Sequence, residues 1–166
     1  MNTRPVGDLA DQCHELLLGC GATVATAESL TGGLVAAAFT SRPGASNVFR
    51  GGVVAYAADL KAALLGVSSE ALARHGPVHP ATAEAMAVGA RDRLGADYGL
   101  ATTGVAGPEA HGDQPVGTVD VCCVGPREPV VRRYQLSGNR DSIRESAVSA
   151  ALELLAETLL RDNARS

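Results

Sequence analysis

The sequence predicts a single α/β domain, residues 1–166, in which a mixed β-sheet is covered by α-helices. Three observations predict it. Segments with helical spacing alternate with short apolar runs of strand length along most of the chain. Two runs, residues 116–124 and 130–136, face each other across a Gly125-Pro126 turn and read as an antiparallel hairpin. Finally, 166 residues at 46% apolar composition suffice for one sizeable core, and no repeat, low-complexity stretch or linker divides them.

Residues 6–19 set Val6, Leu9, Cys13, Leu16 and Leu17 at helical spacing, with Gly19 and Gly21 punctuating the end. Residues 23–27 (TVATA) read as a short strand. Residues 31–40 look helical, favoured by Ala36, Ala37 and Ala38 and stopped by Arg42-Pro43-Gly44. Residues 51–56 (GGVVAY) form a second strand, and 57–65 and 69–75 read as short helices. Pro80 suits the first turn of a helix that runs to Leu94 and closes at Gly95. Residues 98–103 are a third strand, followed by a Gly/Pro-rich loop over 104–114 and then the hairpin. From 141 to 161 a last helix carries Ile143, Val148, Ala151, Leu152, Leu155 and Leu159 on one face.

Composition excludes several function classes. The net charge is −4, Arg132-Arg133 is the only basic pair, and aromatics are 3% with no Trp, so nucleic acid is not an expected partner. No apolar run is long enough to span a bilayer, and the first residues lack the layout of a signal peptide, so a cytoplasmic protein without membrane contact is expected. Cys13, Cys20, Cys122 and Cys123 form neither a CxxC pair nor a zinc pattern. They read as buried free thiols, with Cys122 and Cys123 on opposite faces of a strand. His75 and His79 flank Gly76-Pro77-Val78 and His111 stands alone, so no metal site is expected.

Three constellations could carry chemistry. The first, Thr26 to Gly33 (TAESLTGG), joins a strand to a helix. Free backbone amides at such an end bind phosphate or stabilise an oxyanion, and Ser29 is placed for attack. Read blandly, Ser29 or Thr31 is an N-cap and the glycines permit close packing. The second is Lys61, the only lysine beside thirteen arginines. Unlike arginine, a desolvated lysine can lose its proton and serve a serine as base, although a solvated surface lysine is the commoner case. The third is the glycine-rich loop from Thr103-Gly104 to Gly117-Thr118, which permits close approach of a ligand to backbone. Arg140 and Arg144, near the start of the last helix, either meet a ligand phosphate or pair with Asp141 and Glu145 on the surface.

Together these pieces resemble the C-terminal domain of the competence/damage-inducible protein CinA and its stand-alone relatives, the nicotinamide-nucleotide amidases. The resemblance runs from about Leu9 to Leu160. It is carried by T-A-E-S-x-T-G-G (Thr26 to Gly33), Tyr56 closing a G-x-x-x-Y strand, Lys61 five residues on, and L-G-V (Leu65 to Val67). T-G-x-A-G-P (Thr103 to Pro108), P-V-G-T-V (Pro115 to Val119) and S-G-x-R (Ser137 to Arg140) complete it.

The resemblance implies hydrolysis of nicotinamide mononucleotide to nicotinic acid mononucleotide and ammonia, without a cofactor or metal. The family's catalytic serine, tyrosine and lysine fall on Ser29, Tyr56 and Lys61. Ser29 would attack, Lys61 would take its proton, and Tyr56 would orient the pair or shuttle the proton. Thr31, Gly32 and Gly33 would hold the oxyanion or phosphate, and Thr103, Gly104 and Arg140 would complete the substrate site. A homodimer is the family-level expectation.

The chain departs from the pattern at Ala57-Ala58, where relatives carry Ser-Asn, at His79, where a serine is common, and at Leu30, where a cysteine is frequent. The larger N-terminal domain of full CinA is not in the sequence, so its activity is not expected here. Two alternatives stay open: a non-catalytic nucleotide- or partner-binding module, and an amidase for a different small amide.

Overall fold

The structure, a computed structural model, describes residues 4–164. Its elements follow in chain order as α1 (Val6–Cys20), β1 (Val24–Glu28), α2 (Leu34–Thr40), β2 (Phe49–Val54), α3 (Ala58–Leu65) and α4 (Ser69–His75). Then come α5 (Pro80–Leu94), β3 (Tyr98–Gly104), β4 (Thr118–Val124), β5 (Val130–Gln135) and α6 (Arg140–Asn163). The five strands form one mixed sheet in the order β2-β1-β3-β4-β5. β1 runs parallel to both β2 and β3, whereas β3, β4 and β5 are successively antiparallel. The predicted class and hairpin are therefore both present.

Burial follows position in the sheet. The three inner strands are buried nearly throughout, and the edge strands β2 and β5 are only partly covered. Leu100, Val119, Val121 and Cys123 face the layer of α1, α2 and α6. Ala101, Cys122 and Val124 face α5, so the adjacent thiols do point to opposite sides. Helix α6 is buried over much of its circumference because it lies between the sheet and α1. Fully burying each of Leu152, Leu154, Leu155 and Leu159 contributes on the order of 2 kcal/mol. On the other face α5 approaches β3 so closely that a Cβ at Gly99 would lie 2.0 Å from the Ala87 carbonyl oxygen; only glycine allows that contact.

Several boundaries differ from expectation, each for a local reason. Helix α2 begins at Leu34 rather than Thr31, because Gly32 (φ 57°) and Gly33 (φ 101°) are left-handed and form a turn. Strand β2 covers 49–54, so Ala55 and Tyr56 leave the sheet towards α3. Strand β4 starts at Thr118, since Gly117 (φ 90°) sits in a turn closed by the Thr118 amide on the Pro115 carbonyl. Helix α6 starts at Arg140, where Asn139 Oδ1 accepts the Ser142 amide at 2.9 Å as an N-cap. Cys13, Cys122 and Cys123 are buried thiols, but Cys20 is exposed in the last turn of α1, beyond the packed layer.

The crossovers decide where a ligand can bind. The chain leaves β1 through α2 on one face to reach β2, then returns through α5 on the other face to reach β3. The carboxyl end of β1 is therefore the point where the winding reverses and a crevice opens between the two connections. Ser29 is the first residue past that end.

Candidate active site

Ser29 is held by backbone on both sides. Its amide donates to the Thr102 carbonyl of β3 (3.0 Å), and its carbonyl accepts from the Gly32 amide (3.1 Å), closing the turn. Thr31 is fully buried, its hydroxyl 2.7 Å from that of Thr102. Below the turn, the buried Glu28 carboxylate accepts the Val35 and Ala36 amides at 2.8 and 3.0 Å. A charged acceptor thus caps the positive end of α2. Above it, the Arg144 guanidinium donates to the carbonyls of Leu30 (2.9 Å) and Thr31 (3.3 Å).

Lys61, on α3, is 1% exposed and reaches across to this turn. Its Nζ lies 2.9 Å from Ser29 Oγ, 2.7 Å from the Ala55 carbonyl oxygen and 3.4 Å from the Tyr56 carbonyl oxygen. Burial pulls its pKa down from the usual lysine value to about 8. A neutral amine has two N–H donors and one lone pair. Here two carbonyls take the donors, which leaves the lone pair for the Ser29 hydroxyl proton. The arrangement is that of a serine nucleophile with a lysine base.

The pair opens onto a cavity of about 300 Å³, lined also by Leu30, Tyr56, Ala58, Val78, Thr103, Gly104, Glu109, His111 and Arg140. The sequence-predicted residues do not all meet there in the expected way. Tyr56 is 61% exposed and its phenol sits at the rim, accepting a hydrogen bond from Arg140 Nη2 (3.1 Å); only its backbone carbonyl contacts Lys61. The reason is the early end of β2, after which the chain bends outward into α3. Arg140 Nη1 also donates to the Gly107 carbonyl at 2.5 Å, tying α6 to the glycine-rich loop. Thr103 contributes backbone and form rather than a free hydroxyl, since its Oγ1 donates to the Pro77 carbonyl (2.6 Å). At Gly104 a Cβ would lie 2.6 Å from the Thr118 carbonyl oxygen, so no side chain fits. Thr31, Gly32 and Gly33 do not line the cavity; they shape the turn behind it.

Sequence reasoning missed Glu28, whose place in the strand hid its role as the cap of a helix six residues on. It also left open two roles for Arg144, a ligand phosphate or a surface ion pair; the structure sets its guanidinium on the Leu30 and Thr31 carbonyls, with no ion pair to Asp141 or Glu145 among the described residues. Its i, i+4 spacing from Arg140 was the available signal, since that puts both on one face of α6. His79 serves as the N-cap of α5, its Nδ1 accepting the Ala81 amide at 3.1 Å, and its ring stacks on His75 with centroids 4.2 Å apart. Among the described residues, no three of His, Cys, Asp and Glu gather as a metal site would require, and no helix is long and apolar enough to cross a membrane. A second groove of about 410 Å³ lies between α1, α2 and α6, and among the described residues no base reaches the serines that line it, Ser146 and Ser149.

Comparison with known proteins shows the family. The family model for the CinA C-terminal domain matches residues 6–159. A CinA-like protein of Frankia casuarinae is 53% identical over 144 residues, covering 87% of this chain and 33% of that protein. A putative competence-damage inducible protein of Desulforamulus reducens is 45% identical over 140 residues, covering 84% of this chain and 34% of its own length. The chain thus spans about a third of the length of the curated relatives it matches. Among solved structures, a CinA superfamily protein from Klebsiella pneumoniae superposes with TM-score 0.92 at 31% identity, over 95% of this chain and 99% of that one. A competence/damage-inducible protein from Agrobacterium tumefaciens gives 0.89 at 36% identity, over 96% and 99%. With the family model matching nearly its whole length and relatives close to half identical, the chain belongs to the CinA C-terminal domain family.

Proposed function

We propose that the chain is an amidase that hydrolyses the carboxamide of nicotinamide mononucleotide to nicotinic acid mononucleotide and ammonia. The observation that carries this reading is the 2.9 Å contact between Lys61 Nζ and Ser29 Oγ at the base of a small-molecule-sized cavity. Ser29 Oγ bonds to the carboxamide carbon, the carbonyl π pair moves onto its oxygen, and the hydroxyl proton passes to Lys61 Nζ. Lys61 returns that proton to the departing nitrogen as the C–N bond breaks and ammonia leaves. Water then loses a proton to Lys61 and attacks the acyl-Ser29 ester; as the ester C–O bond breaks, Lys61 passes that proton to Ser29 Oγ, and the acid leaves with the hydroxyl and the neutral amine restored. Arg140, at the rim, takes the phosphate, and Tyr56 orders that guanidinium rather than the proton transfer.

The same reading is of a cytoplasmic homodimer acting on a small molecule, with no cofactor and with neither nucleic acid nor membrane as partner. The test is ammonia release from nicotinamide mononucleotide by the purified chain beside Ser29→Ala. Release by the first and none by the second is expected. A folded chain that binds the nucleotide without releasing ammonia would instead be a binding module, the reading that Ala57 and Ala58 favour, or an amidase for another small amide.

A further inference from the structure

We infer that Arg144 is a positioning residue of this site, holding the turn after Ser29 so that the Leu30 amide faces the developing oxyanion. The inference rests on the serine-nucleophile reading above and deepens it. Arg144 projects from the second turn of α6 and spends its guanidinium on two neutral acceptors, the carbonyls of Leu30 and Thr31. The neighbouring Asp141 and Glu145 form no ion pair with it among the described residues. An arginine needed only for solubility would stay solvated rather than give up its side-chain entropy to two backbone oxygens.

What that contact fixes follows from peptide geometry. A trans peptide holds its C=O and N–H antiparallel, and the only cis bond among the described residues is Gly107-Pro108. Drawing the Leu30 carbonyl towards α6 therefore turns the Thr31 N–H away from α6. The Thr31 carbonyl, shared between Arg144 (3.3 Å) and the Leu34 amide (3.0 Å), sets the Gly32 N–H on the Ser29 carbonyl at 3.1 Å, and the trans peptide after Ser29 then turns the Leu30 N–H the opposite way. The glycine matches the arginine: a Cβ at Gly32, already left-handed at φ 57°, would lie 3.3 Å from Arg144 Nη2.

Counting the amides of this region leaves few for an oxyanion. Those of Val35 and Ala36 are taken by Glu28, that of Gly32 by Ser29, and that of Ser29 by Thr102. The amides of Leu30, Thr31 and Gly33 meet no acceptor among the described residues, and of these three residues Leu30 alone lines the cavity. Donors pre-aimed at the position of developing charge lower the barrier without a reorganisation cost. Arg140, one turn earlier on the same face of α6, reaches the cavity lining at Gly107 and Tyr56. One helix end thus sets both the nucleophile turn and the substrate rim.

The experiment compares wild type, Arg144→Ala and Arg144→Lys in two assays: ammonia release from nicotinamide mononucleotide, and the rate at which a fluorophosphonate probe labels Ser29. The probe needs the nucleophile and its amides but no amide substrate. Arg144→Ala is expected to lower both kcat and the labelling rate roughly tenfold to a hundredfold, with KM changed by less than about threefold. Free guanidinium at tens of millimolar should restore part of both rates, and Arg144→Lys, which cannot span two carbonyls, should fall between. If circular dichroism shows Arg144→Ala unfolded, Arg144→Lys carries the test. A raised KM with kcat and labelling unchanged would make Arg144 a ligand contact and overturn the inference, as would unchanged values throughout. If wild type labels but releases no ammonia, the amidase reading falls and the labelling rates alone decide for Arg144. If wild type does not label, Ser29 is not activated and the inference falls with it.

Discussion

Raising the pH should switch catalysis on through a single ionisation, that of Lys61. Only the neutral amine can take the Ser29 proton, and burial places its pKa at about 8. At pH 7 about a tenth of the molecules then carry a neutral Lys61, against roughly three in ten thousand for a lysine at the usual 10.5, a gain of about 300-fold in active base. The assay is kcat/KM for ammonia release across a range from about pH 6 to about pH 10, which reports groups of the free enzyme. The expected profile rises tenfold per pH unit and levels off near pH 8, and Lys61→Met should abolish it. An inflection above about pH 10, a flat profile, or an active Lys61→Met variant would refute the assignment of Lys61 as base.

The same shift has a consequence for stability. Below about pH 8 Lys61 is charged in both the folded and unfolded chain, and the folded state bears the full cost of burying that charge. Between about pH 8 and 10.5 the unfolded chain keeps the proton that the folded chain has released, so stability rises with pH through this window. The rise is about 3 kcal/mol, and it should be missing from Lys61→Met in urea unfolding curves measured at several pH values.

Two further outcomes are expected. Glu28→Gln replaces an acceptor of two amides with a group that has one acceptor and an N–H₂, and should cost about 1–3 kcal/mol in urea unfolding; an unchanged midpoint would deny the capping role. Tyr56→Phe should leave kcat within about threefold and raise KM, because its hydroxyl meets Arg140 rather than Ser29 or Lys61; a loss of kcat approaching a hundredfold would put the phenol in the proton path after all.

Much of the fold was legible because the signals were local. Helical spacing over 6–19, Pro80 and Gly95 bracketing α5, and the Gly125-Pro126 hairpin turn each depend on neighbours a few residues apart. The misplacements fell where a local rule was overridden. The small residues of 31–40 favoured helix from the start, but two left-handed glycines set its beginning at Leu34. Tyr56 looked like the end of a strand, yet β2 stops at Val54, and the carbonyls of Ala55 and Tyr56, released from the sheet, accept from Lys61 of the following helix. For the site, residue chemistry and motif order pointed to Ser29, Lys61 and Arg140.

By itself the sequence determined the class of fold, the family resemblance and which groups are candidates for chemistry, since these follow from residue type and short-range pattern. Tertiary structure alone decided that Lys61 is buried beside a serine 32 positions away, because desolvation and lone-pair direction come from what packs around a group. It alone turned the Tyr56 phenol to the rim, gave Glu28 to the start of α2, and set Arg144 against the carbonyls of Leu30 and Thr31, 114 and 113 residues away. Those roles depend on which elements meet at the carboxyl end of β1. That meeting is fixed by the strand order β2-β1-β3-β4-β5, which no local pattern encodes.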